Sequence, residues 1–127
     1  MKYFYLLFLL GFCQTASAVC SSEDLTGYWD FYDSGQDYAF TCSLRMSNGK
    51  VSLHRFGCKS YGNAITGIGS VSGTLSVDSF CHVSGRVNLG GVLEAVILKA
   101  TLNQGRNEIH GIGVGNVYAP FKLIKFY

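Results

Sequence analysis

Three histidines, five cysteines and many serines are the residues of this chain best able to do chemistry. A nucleophilic mechanism needs a Ser or Cys beside a base and an orienting group, and no G-x-S-x-G elbow is present to supply one. A zinc site built from Cys20, Cys42, Cys58 and Cys81 with His54, His82 or His110 calls for C-x-x-C or H-x-x-x-H spacing, and neither occurs. The glycine-rich pieces Gly67-Ile68-Gly69 and Gly111-Ile112-Gly113-Val114-Gly115 lack the spacing and the Lys of a phosphate-binding loop. His54 and His82 fall on the polar side of their segments and read as solvated. His110 shares a face with Ile112 and Val114, which predicts a hydrogen-bonded histidine inside the core. The expectation is a non-enzymatic protein with no metal and no cofactor.

The cysteines are better understood from the start of the chain. Lys2, the apolar run Tyr3 to Phe12 and the small-residue pattern Ala16-Ser17-Ala18 read as an export signal over residues 1–18, cleaved so that the mature chain begins at Val19. A membrane span needs about 18 consecutive apolar residues, and Gln14, Thr15 and Ser17 interrupt the run too early. Val19 before Cys20 departs from the small residue that a lipid-anchored cysteine requires. Cys13 leaves with the signal, and four cysteines remain in an oxidising secreted or periplasmic setting, which favours two disulfides with three connectivities.

Removing 18 of 127 residues leaves 109, enough for a single domain over residues 19–127. Only Lys2 of the 10 basic residues is lost against 8 acidic ones, so the mature net charge is about +1 and carries no nucleic-acid footprint. Glu23, Asp24, Asp30, Asp33 and Asp37 all precede the first mature base, Arg45. A docking face for a basic partner would account for that asymmetry; so would a closed sheet that sets the acidic first strand beside Lys122 and Lys125.

Period-two alternation dominates the mature chain, the mark of strands half-buried on one face. Leu25, Gly27, Trp29 and Phe31 share one face of a first strand, and Tyr38, Phe40, Cys42, Leu44 and Met46 one face of a second. Asn48-Gly49 then gives a strong hairpin signal. A two-residue turn there sets Met46 against Val51, Leu44 against Leu53 and Cys42 against Arg55. Ile65 to Val77 forms one long or two short strands, and Val71-Ser72-Gly73-Thr74 is echoed by Val83-Ser84-Gly85-Arg86. The count of about eight strands with short connections predicts an all-β, antiparallel, up-and-down barrel, with a two-sheet β-sandwich as the alternative.

In such a barrel Cys42 and Cys58 lie at one end of adjacent strands, while Cys20 and Cys81 lie at the other, which predicts the pairs Cys42–Cys58 and Cys20–Cys81. The first pair requires a bulge, expected at Phe56-Gly57, because an undistorted ladder points Cys58 the wrong way. Inward glycines Gly67, Gly69, Gly73 and Gly85 either leave a ligand cavity lined by Trp29, Phe31, Tyr38, Phe40 and Met46, or let the strands coil sharply around large aromatics. Phe126-Tyr127 matches the terminal aromatic of outer-membrane barrels, but most strands are shorter than the 9–11 residues that spanning requires, and no integral membrane insertion is expected.

Leu25-Thr26-Gly27-Tyr28-Trp29 followed by Cys42-Ser43-Leu44-Arg45-Met46 resembles the opening of calycin-type barrels. The Gly27-x-Trp29 element is similar to that of lipocalins and avidin-like proteins, whose tryptophan closes the barrel base. With the C-x-L-x-M strand, it also resembles small exported bacterial inhibitors of metalloproteases. The first likeness implies an interior site, here for a small apolar ligand touching Trp29 and Phe40. The second implies that Val19 to Asp24 enters a protease cleft. The expected function is therefore that of a secreted binding protein for a small apolar ligand. The alternative is an exported protein-protein module acting on an extracellular or periplasmic protein through that N-terminal segment or through Tyr28 and Tyr32.

Overall fold

Eight alternating strands can bury one face without leaving an open edge only by closing on themselves. In the computed structural model, which describes residues 19–34, 38–62, 68–90, 93–114 and 118–127, they do so. The strands are β1 (Gly27–Ser34), β2 (Tyr38–Ser47), β3 (Lys50–Gly62), β4 (Val71–Val77), β5 (His82–Leu89), β6 (Leu93–Leu102), β7 (Glu108–Val114) and β8 (Tyr118–Lys125). Each pairs antiparallel with the next, and β8 returns to β1 through Trp29↔Lys125, Phe31↔Leu123 and Asp33↔Phe121. The expected signal over residues 1–18 lies outside the described residues, and no helix described is long and apolar enough to cross a membrane.

The lower end is sealed. A 3₁₀ turn, Ser22–Leu25, tucks Leu25 under the barrel, and the Trp29 Nε1–H donates to the Leu25 carbonyl at 3.0 Å. Lys125 donates from Nζ to the Asp24 carbonyl at 3.1 Å, its ammonium 5.1 Å from the centre of the Trp29 ring. Arg106, from the β6–β7 turn, meets the Asp24 carboxylate at 2.7 Å. That bond, then the Ser21 N–H, holds the Asp24 carboxyl below its ordinary 3.8. A depressed acid contributes stability that is full above pH 3.8 and lost as pH falls through the lower folded value. Cys20 is buried and bonded to Cys81, which precedes β5, so the segment entering the barrel is fastened at its start.

The Asn48-Gly49 hairpin sets Met46 against Val51 and Leu44 against Leu53, but Cys42 faces Cys58 and not Arg55. Between the pairs Leu44↔Leu53 and Cys42↔Cys58, one residue on β2, Ser43, runs beside four on β3, His54, Arg55, Phe56 and Gly57. The three surplus residues form a bulge wider than the single kink expected, with Gly57 at a φ of +68°. It turns Cys58 to the face of Cys42, and the two are bonded. Beyond the bulge the return strand continues to Gly62.

Two further expectations change. His110 is exposed and pairs with Glu108 (Nε2 to Oε2, 2.8 Å), while Ile109 takes the interior. Gly111 and Gly113 follow Ile109 on the inward face and carry no side chain, so the sequence hides which parity of β7 is buried. Gly73 and Gly85, at φ of +141° and +142°, open no cavity. A Cβ on Gly73 would strike the Arg86 carbonyl and lie 2.9 Å from the Val87 Cα; one on Gly85 would strike the Thr74 carbonyl. These glycines let β4 and β5 press together and coil. Gly69 has no neighbour where a Cβ would sit, and Gly67 lies outside the described residues.

Candidate functional site

Trp29, Phe31, Phe40 and Met46 join one core cluster. Trp29 and Phe31 are wholly buried, and Met46 is nearly so. A side chain lining a void large enough for water keeps accessible surface, so the interior beside Trp29 and Phe31 is filled. The Phe31 ring lies 5.8 Å from both Phe40 and Phe121. The side chain of Tyr38 lies outside the described residues.

Apolar surface gathers instead on the outside of the wall. Outward positions of β1 are Tyr28, Asp30 and Tyr32, and Tyr28 pairs with Arg45 of β2. The chain after β8 folds over Tyr28: its N–H donates to the Tyr127 carbonyl at 2.8 Å, and its carbonyl accepts from the Phe126 N–H at 2.9 Å. From the other side, the bulge of β3 delivers His54, Arg55 and Phe56. The Tyr28 ring is 4.9 Å from His54 and 6.0 Å from Phe126, and His54 is 4.5 Å from Phe56. The Phe56 N–H donates to His54 Nδ1 at 3.2 Å, which fixes the imidazole among the rings. Phe56 remains 60% exposed, Phe126 40% and Tyr127 86%. Together with Arg45 and Arg55 these rings line an open depression of about 630 Å³.

Two neighbouring depressions extend it along β1. One of about 310 Å³ shares Phe56 and includes Asp30, Ser43 and Lys59, with the Ser43 hydroxyl donating to Asp30 at 2.7 Å. The next, of about 520 Å³, shares Thr41 and reaches Tyr32 and Lys122. The first two lie on the outer face of β1, β2 and β3 and are taken together as the outer groove, whereas the third is lined also by the inward-facing Asp33, Phe40 and Phe121. His54, expected to be solvated, thus joins Tyr28 in this cluster, and Tyr28 and Tyr32 are the residues of this face that the alternation marks. The outward parity of Tyr28 and the bulge needed near Phe56 were the available signals.

Behind the groove, Asp33 points inward with its Oδ1 buried and without a hydrogen-bond partner. Burial pushes its carboxyl above the ordinary 3.8, and the Ser34 N–H only partly opposes this. A raised acid favours folding below pH 3.8 and loses that contribution as pH rises through the folded value. Asp33→Asn is therefore expected to stabilise the barrel by about 1 kcal/mol at pH 7, through relief of an unpaired buried charge. The gain should fade in urea titrations near pH 3. A gain equal at both pH values would show that charge is not its cause.

His82 pairs with Asp78 at 3.4 Å and His110 with Glu108, both at exposed positions, and no described Ser or Cys is hydrogen-bonded to either imidazole. Among the described residues no three His, Cys, Asp or Glu side chains converge as a metal site would need. The structure thus defines a closed, eight-stranded antiparallel barrel held by two disulfides. No protein-family model, curated protein or solved structure matches the chain, and what the structure shows is a small barrel fold.

Proposed function

We propose that this chain is an exported, non-enzymatic binding protein that engages an extracellular or periplasmic protein through the outer groove on β1, β2 and β3. One observation carries the reading: an aromatic cluster of Tyr28, His54, Phe56 and Phe126 is left open to solvent with arginines at its rim. Buried cores of protein interfaces are enriched in aromatic residues and arginine, and large apolar side chains gathered outside a barrel need such a reason.

Two narrower readings have less support. A small apolar ligand beside Trp29 has no void to occupy next to that wholly buried ring, although Phe40 lines the depression of about 520 Å³ that Phe121 and Asp33 share. Inhibition by insertion of Val19 to Asp24 needs a free arm, yet Cys20 is bonded to Cys81, Asp24 is paired with Arg106, and Leu25 is buried under the barrel.

A photo-crosslinking residue placed at Phe56 tests the proposal against one at Leu98, which is 68% exposed on β6, four strands round the barrel from β2. In the native extracellular fluid, a discrete protein adduct is expected from position 56 and none from position 98. Equal labelling at both positions, or adducts from position 98 alone, would overturn it.

A further inference from the structure

The arginines divide in a way that identifies the chemistry of the partner. The chain has four. Arg86 is paired with Glu94 at 3.2 Å and Arg106 with Asp24 at 2.7 Å. Arg45 and Arg55, the two that line the aromatic depression, have no acidic partner among the described residues. Arg55 lies over the Phe56 ring, its guanidinium carbon 5.4 Å from the ring centre. Asp30, the acid of the adjoining depression, is engaged by the Ser43 hydroxyl. Two exposed guanidiniums thus line the aromatic depression with no acidic side chain among the described residues in salt-bridge contact with them.

We infer that the segment docking in this groove is an acidic peptide stretch, with carboxylates meeting Arg45 and Arg55 and an apolar side chain lying on Phe56 and Phe126. This rests on the outer groove being the binding surface. Guanidinium is suited to the role, because its planar fork takes a carboxylate through two parallel hydrogen bonds while its face stacks on an aromatic ring. A polyphosphate chain fits less well: tracking a nucleic-acid backbone calls for a broad basic surface, and the formal net charge is +2.

The test uses three probes: a capped hexapeptide of alternating Glu and Phe, its counterpart with Gln for Glu, and a single-stranded oligothymidylate. Each is titrated into the oxidised, isotope-labelled protein while amide chemical shifts are followed. The Glu peptide is expected to move the amides of Tyr28, Arg45, His54 and Phe56. It should bind at least tenfold more tightly than the Gln peptide, and lose at least tenfold in affinity in the doubly substituted Arg45→Gln, Arg55→Gln protein. Both arginines are exposed, and unchanged shifts elsewhere would establish that the variant folds. Equal binding of the two peptides on the same amides would overturn the acidic partner while leaving the groove as a docking surface. Tighter binding of the oligothymidylate would overturn it in favour of nucleic acid. No shift at these amides from any probe would also overturn it, and crosslinking at position 56 then decides separately whether the groove binds protein.

Discussion

Replacing Cys20 and Cys81 together by serine is expected to lower the unfolding free energy by about 4 kcal/mol, because the bond closes a loop of 61 residues' separation. The same reckoning gives about 3 kcal/mol for Cys42–Cys58, whose separation is 16. Against a typical domain stability of about 5–15 kcal/mol, either loss is large. The longer loop also holds the 3₁₀ turn against the barrel, so its release weakens the approach of Asp24 to Arg106 and of Lys125 to the Asp24 carbonyl. Denaturant midpoints of the two double variants check the order. A greater loss from Cys42–Cys58 would show that contacts around the bulge outweigh loop closure.

Trp29→Ala should cost a similar amount, about 4 kcal/mol, through the cavity left by a wholly buried indole. The substitution also strands the Leu25 carbonyl, which loses its 3.0 Å donor, and removes the ring beneath the Lys125 ammonium. Trp29→Phe keeps most of the ring and loses the donor, for an expected cost of about 1–2 kcal/mol. Urea unfolding followed by circular dichroism measures both. In the unaltered protein, Trp29 is the single tryptophan, so its fluorescence alone should shift from blue to red on unfolding. An Ala variant within 1 kcal/mol of the parent would show that the lower end is held together without the indole.

Much of the barrel is written in the sequence, and the reasons are local. Asn48-Gly49 dictates a two-residue turn, and that turn sets Met46↔Val51 and Leu44↔Leu53. Parity along Trp29, Phe31, Phe40, Leu44 and Met46 then marks the buried face. Legibility fails where parity fails. The bulge after Leu53 shifts β3 by three residues, which moves Arg55 away from Cys42 and turns a histidine that looked solvated into the middle of an aromatic cluster. On β7, Gly111 and Gly113 erase the alternation that would have put His110 outside. The groove itself is assembled from residues far apart in the chain, Tyr28, Arg45, Phe56 and Phe126. Only the closure of β8 on β1 brings Phe126 to Tyr28, a long-range consequence that no single segment encodes.

The bulge on β3 is pinned at both ends, by the Leu44↔Leu53 pairing below and by the Cys42–Cys58 bond above. Residues inserted into or exchanged within His54–Gly57 therefore change no register elsewhere, since the ladder resumes at a covalent mark. Evolution or an engineer can rewrite the outer surface there as a cassette, while the barrel that displays it keeps its own fold.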